Sequence, residues 1–177
     1  LDRGYRMSKR IPPNLKFSRK HHDEARETSR WLVESKLIKE KCSGYNPEFK
    51  GINNVIKGID YVIQIDPEID THIDNVTLRM VIPEDYPSSL PRVYPLDLII
   101  PFDHRAHVYR DSPDNGRKVH LCMVTQEEWT RDCSIAGLMV LSAIWVHKYL
   151  IWRKTGEWPG RGRTHCNGCG NIGKCDC

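Results

Sequence analysis

The sequence has no phosphate-binding glycine loop. Its Gly160-Arg161-Gly162-Arg163 run lacks the lysine and the strand-to-helix setting that cradle a triphosphate, so ATP chemistry is not expected. It also has no uninterrupted hydrophobic run. The most apolar stretch, Ile135 to Trp152, is broken by His147 and Lys148 after a dozen residues, short of the about 20 needed to span a bilayer. A buried helix is predicted there instead. The first twenty residues are polar and basic and predict no signal peptide. No internal repeat and no low-complexity segment is present. Excess charge is small, +4 overall, and the basic residues gather at the two ends, Arg3 to Lys20 in front and Arg153 to Arg163 behind. Such an arm binds nucleic acid or an acidic protein surface, or is simply a solvated tail.

What is present describes one globular domain: 177 residues give room for a single substantial core. The cysteines, seven in all, are odd in number and come without export features, which predicts a reducing, cytoplasmic setting and cysteines used as ligands or nucleophiles. After a basic arm broken by Pro12-Pro13, Ser18 is placed to cap a helix running to about Lys41. Its predicted core face carries Ala25, Thr28, Trp31, Leu32, Ser35 and Ile38, with Glu24, Glu27, Arg30, Glu34 and Lys41 opposite. The pattern then turns to alternation. Ile59, Tyr61, Ile63 and Ile65, then Val76, Leu78, Met80 and Ile82, predict neighbouring antiparallel strands. A third run, Val93 to Ile100, contains Pro95, which suggests an edge or a bulge. Pro101 to Lys118 reads as a long irregular segment, Val119 to Val124 as a short extended patch, and Ile135 to Trp152 as a helix central to the core. This order is α+β.

The chemistry centres on Cys122. It follows the irregular segment, with His120 two residues before it, His107 and Tyr109 upstream and Trp129 downstream. A free thiol titrates near about 8.5, so only a few per cent is thiolate at neutral pH, yet that fraction is a strong nucleophile toward an activated acyl group. The thioester so formed is itself a good acyl donor to an amine. Such a carrier needs an accessible cysteine and a donor for the developing oxyanion, not a full triad. Taken alone, Cys122 reads first as an inert core cysteine, because free cysteine is usually buried.

The order of motifs carries a resemblance. Val81-Ile82-Pro83-Glu84-Asp85 leads into Tyr86-Pro87, then Leu90-Pro91 and Val93. Ala106-His107-Val108-Tyr109, Gly116, Leu121-Cys122-Met123 and Trp129 follow. This series, within residues 18–152 and strongest over 81–129, resembles the ubiquitin-conjugating enzymes. The resemblance implies a UBC-like fold, an N-terminal helix, an antiparallel meander, a long active-site loop and a C-terminal helix, with Cys122 as thioester-forming nucleophile. The family's His-Pro-Asn is absent, and His107 stands where its oxyanion-supporting asparagine would be. His107 is therefore a candidate hydrogen-bond donor or base, or else a support for the loop. His120, two residues from Cys122 on an extended segment, is a second candidate for tuning the thiol, or else a solvent-facing histidine.

Trp145, Tyr149, Trp152, Thr155-Gly156-Glu157-Trp158-Pro159-Gly160 and His165 resemble the ending of stand-alone bacterial conjugating-enzyme-like proteins of CBASS antiphage operons. That resemblance implies a thioester with the C-terminus of a cGAS-like nucleotidyltransferase partner and regulation of second-messenger synthesis, with no fused activating enzyme. A ubiquitin-like protein C-terminus is the alternative donor, and a noncatalytic interaction module of the same fold the alternative role. The implied organisation is an arm over 1–17, a conjugating domain over 18–160 and a Cys-rich tail over 161–177. No cofactor is expected for catalysis, and neither a membrane nor a nucleic acid is the expected partner. In the tail, Cys166 and Cys169 have zinc-knuckle spacing, and Cys175 and Cys177 follow. Zinc bound by these four, a disulfide or redox role, and a plain tail all fit.

Overall fold

The structure is a computed structural model that describes residues 16, 30–53, 55–111 and 118–160. Helix α1 (Arg30–Cys42) is followed by a single helical turn at Ser43–Tyr45. Strands β1 (Glu48–Ile52), β2 (Val55–Gln64), β3 (Asn75–Val81) and β4 (Arg92–Pro95) form an antiparallel sheet in chain order. A two-stranded hairpin, β5 (Val108–Arg110) and β6 (Val119–Leu121), comes next, and helix α2 (Ile135–Thr155) closes the described chain. The fold is α+β, with an antiparallel sheet and a C-terminal helix, as the sequence predicts.

The alternating segments behave as their pattern dictates. Ile59, Tyr61 and Ile63 on β2 stand opposite Met80, Leu78 and Val76 on β3, and all six point into the core. Each such buried side chain contributes about 1.5–3 kcal/mol over an exposed one. Helix α2 lies against this layer and is buried on most of its circumference, from Ile135 through Leu150. By length and composition it could cross a membrane, but 61% of its most apolar window is packed inside the domain. Ser134 caps it by accepting from the Gly137 amide at 3.0 Å, and Gly156, at φ 77°, turns the chain out of it. Tyr61 is locked to the helix by a 2.7 Å hydrogen bond with Ser142.

Some expectations need correction. The run Val93 to Ile100 is strand only as far as Pro95; beyond it Leu96 and Ile99 are exposed. Pro95 does fall on a strand at the end of the sheet order. The irregular segment contains an unpredicted strand, β5. The predicted face of α1 is rotated: Val33, Glu34, Leu37, Ile38 and Cys42 are buried, whereas Leu32 is exposed. Glu34 faces the core because its carboxylate is fully engaged there, accepting from Arg30 at 3.0 Å, the Ile135 amide at 3.0 Å and the Tyr86 hydroxyl. The predicted helical residues 18–29 lie outside the described residues. Lys16, inside the arm over 1–17, forms an isolated antiparallel bridge with Cys133.

Candidate active site

The hairpin carries the pairing that positions Cys122. Val108 pairs with Leu121, so the next step along the ladder places His107 opposite Cys122. The Cys122 amide donates to the His107 carbonyl at 2.9 Å. That carbonyl also accepts from the Trp145 indole N–H at 2.9 Å, which ties the end of the hairpin to α2. To serve both donors His107 adopts φ 52°, a left-handed conformation in which a residue with a side chain is uncommon. Its ring packs on Trp158 at 4.4 Å, and Trp158 in turn meets Trp145 and Trp152. The Gly156 turn is what returns Trp158 to this place. Thus the C-terminal motif and the histidine that the sequence separates by fifty residues form one contact.

Cys122 is 7% exposed, yet it stands outside the packed apolar cluster that contains Cys42 and Cys133. Its own amide is committed to His107, which leaves other groups to meet an oxyanion. The chain after it is fastened to the Tyr86–Leu90 loop. Trp129, 4% exposed, donates to the Pro87 carbonyl at 2.9 Å. Gln126 donates to the Ser88 carbonyl at 3.1 Å and accepts from the Leu90 amide at 2.9 Å. Trp129 therefore supports the loop, as its place in the sequence suggests. Beneath the loop, Tyr86 and Glu34 bind each other, and burial raises both groups above their ordinary values.

His120 is held elsewhere. Its Nδ1 lies 2.9 Å from Asp111 Oδ1, within ion-pair distance but off the line of a hydrogen bond. Its ring lies between Tyr94 and Tyr109, at 5.7 and 5.3 Å. Burial lowers the His120 pKa below the usual histidine value, with Arg92 adding to this and Asp111 opposing it. The Asp111 side chain is 3% exposed, accepts from the Tyr94 hydroxyl at 2.9 Å and lies 3.4 Å from Arg92. Asp111 is the member of this cluster that sequence reasoning missed, because an aspartate inside a polar segment carries no signal of burial. His120 and Tyr109 line a groove of about 1000 Å³ whose walls do not include Cys122. The structure thus brings His107 and Cys122 together through the backbone and assigns His120 to a neighbouring cluster.

Cys166, Cys169, Cys175 and Cys177 lie outside the described residues. Among the described residues no cluster of metal-ligating side chains is found.

This fold, with a cysteine at the end of a braced hairpin, suits the class of conjugating-enzyme-like proteins, and comparison with family models agrees. The family described as Type II CBASS E2 protein matches residues 41–166, and the chain belongs to that family. Its role is therefore conjugating-enzyme-like and lies in CBASS antiviral defence. The matched span includes His107, His120 and Cys122 and ends at Cys166. Comparisons with curated proteins and with solved structures gave no match.

Proposed function

We propose that this chain is a cytoplasmic, UBC-like conjugating protein that carries an acyl group as a thioester on Cys122. The acyl group is the C-terminus of a cGAS-like nucleotidyltransferase encoded beside it, and conjugation regulates that partner's second-messenger synthesis. The observation that supports this best is the setting of Cys122 in a chain of this family. It directly follows the β5–β6 hairpin, braced through the His107 carbonyl to α2. In this reading Cys122 is the nucleophile. His107 supports the site and donates to the oxyanion, and no cofactor takes part. Zinc on Cys166, Cys169, Cys175 and Cys177 would be a structural clip, not part of the reaction.

The test is intact-mass analysis after co-expression with the neighbouring genes. A covalent adduct released by thiols, and lost in Cys122→Ala, is the expected result. An adduct that survives Cys122→Ala contradicts the reading. The mass of the adduct also separates a nucleotidyltransferase donor from a ubiquitin-like one. One observation favours a second reading: at 7% exposure Cys122 resembles a packed cysteine, as in a noncatalytic interaction module. No adduct with any partner would favour that module.

A further inference from the structure

Beside the Cys122 segment runs the groove of about 1000 Å³, walled by β4, β5, β6 and the turn Val124–Glu127. Cys122 lies in the chain between two of its walls, His120 and Val124. Residues two apart are separated by at most about 7 Å along extended backbone, so an acyl group on the Cys122 sulfur is within reach of the groove. The Nδ1 atom of His120 is buried against Asp111. Among the described residues Nε2 makes no hydrogen bond, and it is the ring nitrogen left for the groove, which His120 lines. Asp111 is in turn fixed by Tyr94 and Arg92. A buried carboxylate 2.9 Å from one imidazole nitrogen, in a ring that lines a cavity, is the setting of a proton acceptor.

We propose that this groove seats the amine that takes the acyl group from Cys122, a lysine side chain of an acceptor protein, with His120 Nε2 as proton acceptor and Asp111 as the residue that positions the ring. The proposal rests on the reading of Cys122 as acyl carrier. The amine nitrogen attacks the thioester carbonyl carbon, a C–N bond forms, the C–S bond breaks, and Cys122 leaves as thiolate. The proton released from the amine nitrogen passes to His120 Nε2 and from there returns to the Cys122 sulfur.

The charged surroundings fit this role. Arg92 and Tyr94 face the ring from β4, Tyr109 and Arg110 line the groove from β5 with Asp111 just after, and Glu127 stands on the turn. Burial and Arg92 keep His120 neutral near pH 7 and able to accept a proton. Arg92 and Arg110 disfavour the ammonium form of an incoming amine, and Glu127 acts in the opposite sense.

The test uses the full-length chain loaded at Cys122 by exchange with a glycine-terminated peptide thioester. Free lysine is then added, and loss of the thioester is followed by intact mass from pH 5 to 9. His120→Gln should slow aminolysis by about 100-fold or more, within the usual range for a general base, and flatten the acidic limb of the pH profile, with circular dichroism showing that the variant is folded. Asp111→Asn should slow it less and move the acidic limb of the pH profile to lower pH, because the charge that raises the histidine pKa is gone. Titration of the His120 ring by NMR should show the same downward move. Equal aminolysis in wild type and His120→Gln overturns this proposal and leaves Cys122 as acyl carrier intact. A protein that no thioester can load at Cys122 overturns both.

Discussion

Cys42 and Cys122 are both buried, at 1% and 7% exposure, but the chain holds them differently. Cys42 sits at the end of α1 in the seam against α2, inside the apolar cluster, with its thiol donating to the Ala136 carbonyl at 3.5 Å. Burial pushes its pKa up to about 11, so it is protonated at any physiological pH. Cys122 sits at the end of a short hairpin, outside that cluster, with its backbone pinned by a histidine carbonyl and a histidine–aspartate pair close along the chain. Low exposure alone does not separate them; the tethering of the backbone at Cys122 does.

The largest expected effect tests whether the two regions divide rate from stability. His107→Ala should slow thioester formation or discharge by roughly 100- to 1,000-fold, the usual cost of losing a preorganised donor. His107→Asn should recover part of that, since asparagine also tolerates the left-handed backbone at this position. In the Cys42 seam, Leu37→Ala should instead cost about 2–5 kcal/mol of stability and leave the transfer rate alone. Single-turnover kinetics beside urea unfolding measure both. Wild-type rates in both His107 variants would make that residue structural only.

Native-state alkylation sharpens the contrast. At pH 8 a thiol titrating near 11 is about 200-fold less ionised than an ordinary one at about 8.5. Iodoacetamide should therefore label Cys42 slowly and Cys122 many-fold faster, and labelling of Cys42 should climb with pH up to about 11. Equal and slow labelling of the two would place Cys122 with the inert cysteines.

The smallest effect concerns a third kind of cysteine. If Cys166, Cys169, Cys175 and Cys177 hold zinc, the purified protein should carry about one equivalent, and a chelator should loosen the C-terminus without lowering the transfer rate. Metal-free protein of unchanged stability would leave the disulfide and plain-tail readings.

The two regions also differ in how much of them the sequence displays. The core did so plainly, because β2 and β3 bury every second residue and α2 buries nearly all of its circumference. Strand β1 left no such trace: all five of its residues are exposed, and it exists through pairing with β2 across a bulge at Gly51. A Cβ on Gly51 would stand 2.4 Å from the Val55 carbonyl oxygen, so that approach requires glycine. The face of α1 was misread because Glu34 looks like a solvent residue until Tyr86, Arg30 and the Ile135 amide are brought to it by the fold. At the site, motif order named Cys122 and His107 as candidates. That they meet through a backbone carbonyl, and that Trp145 and Trp158 brace the histidine, depends on the left-handed turn and the return at Gly156. Asp111 was hidden for the same reason, since its partners come from β4 and β6.

The most direct test of the account is to locate the acyl group by mass spectrometry on Cys122→Ser protein co-expressed with its operon neighbours. A serine ester is a poorer acyl donor than a thioester, so the account predicts a longer-lived adduct that resists thiols and maps to the peptide containing position 122. An adduct mapping to Cys42, Cys133 or a tail cysteine, or an unchanged thiol-sensitive adduct in this variant, would contradict it.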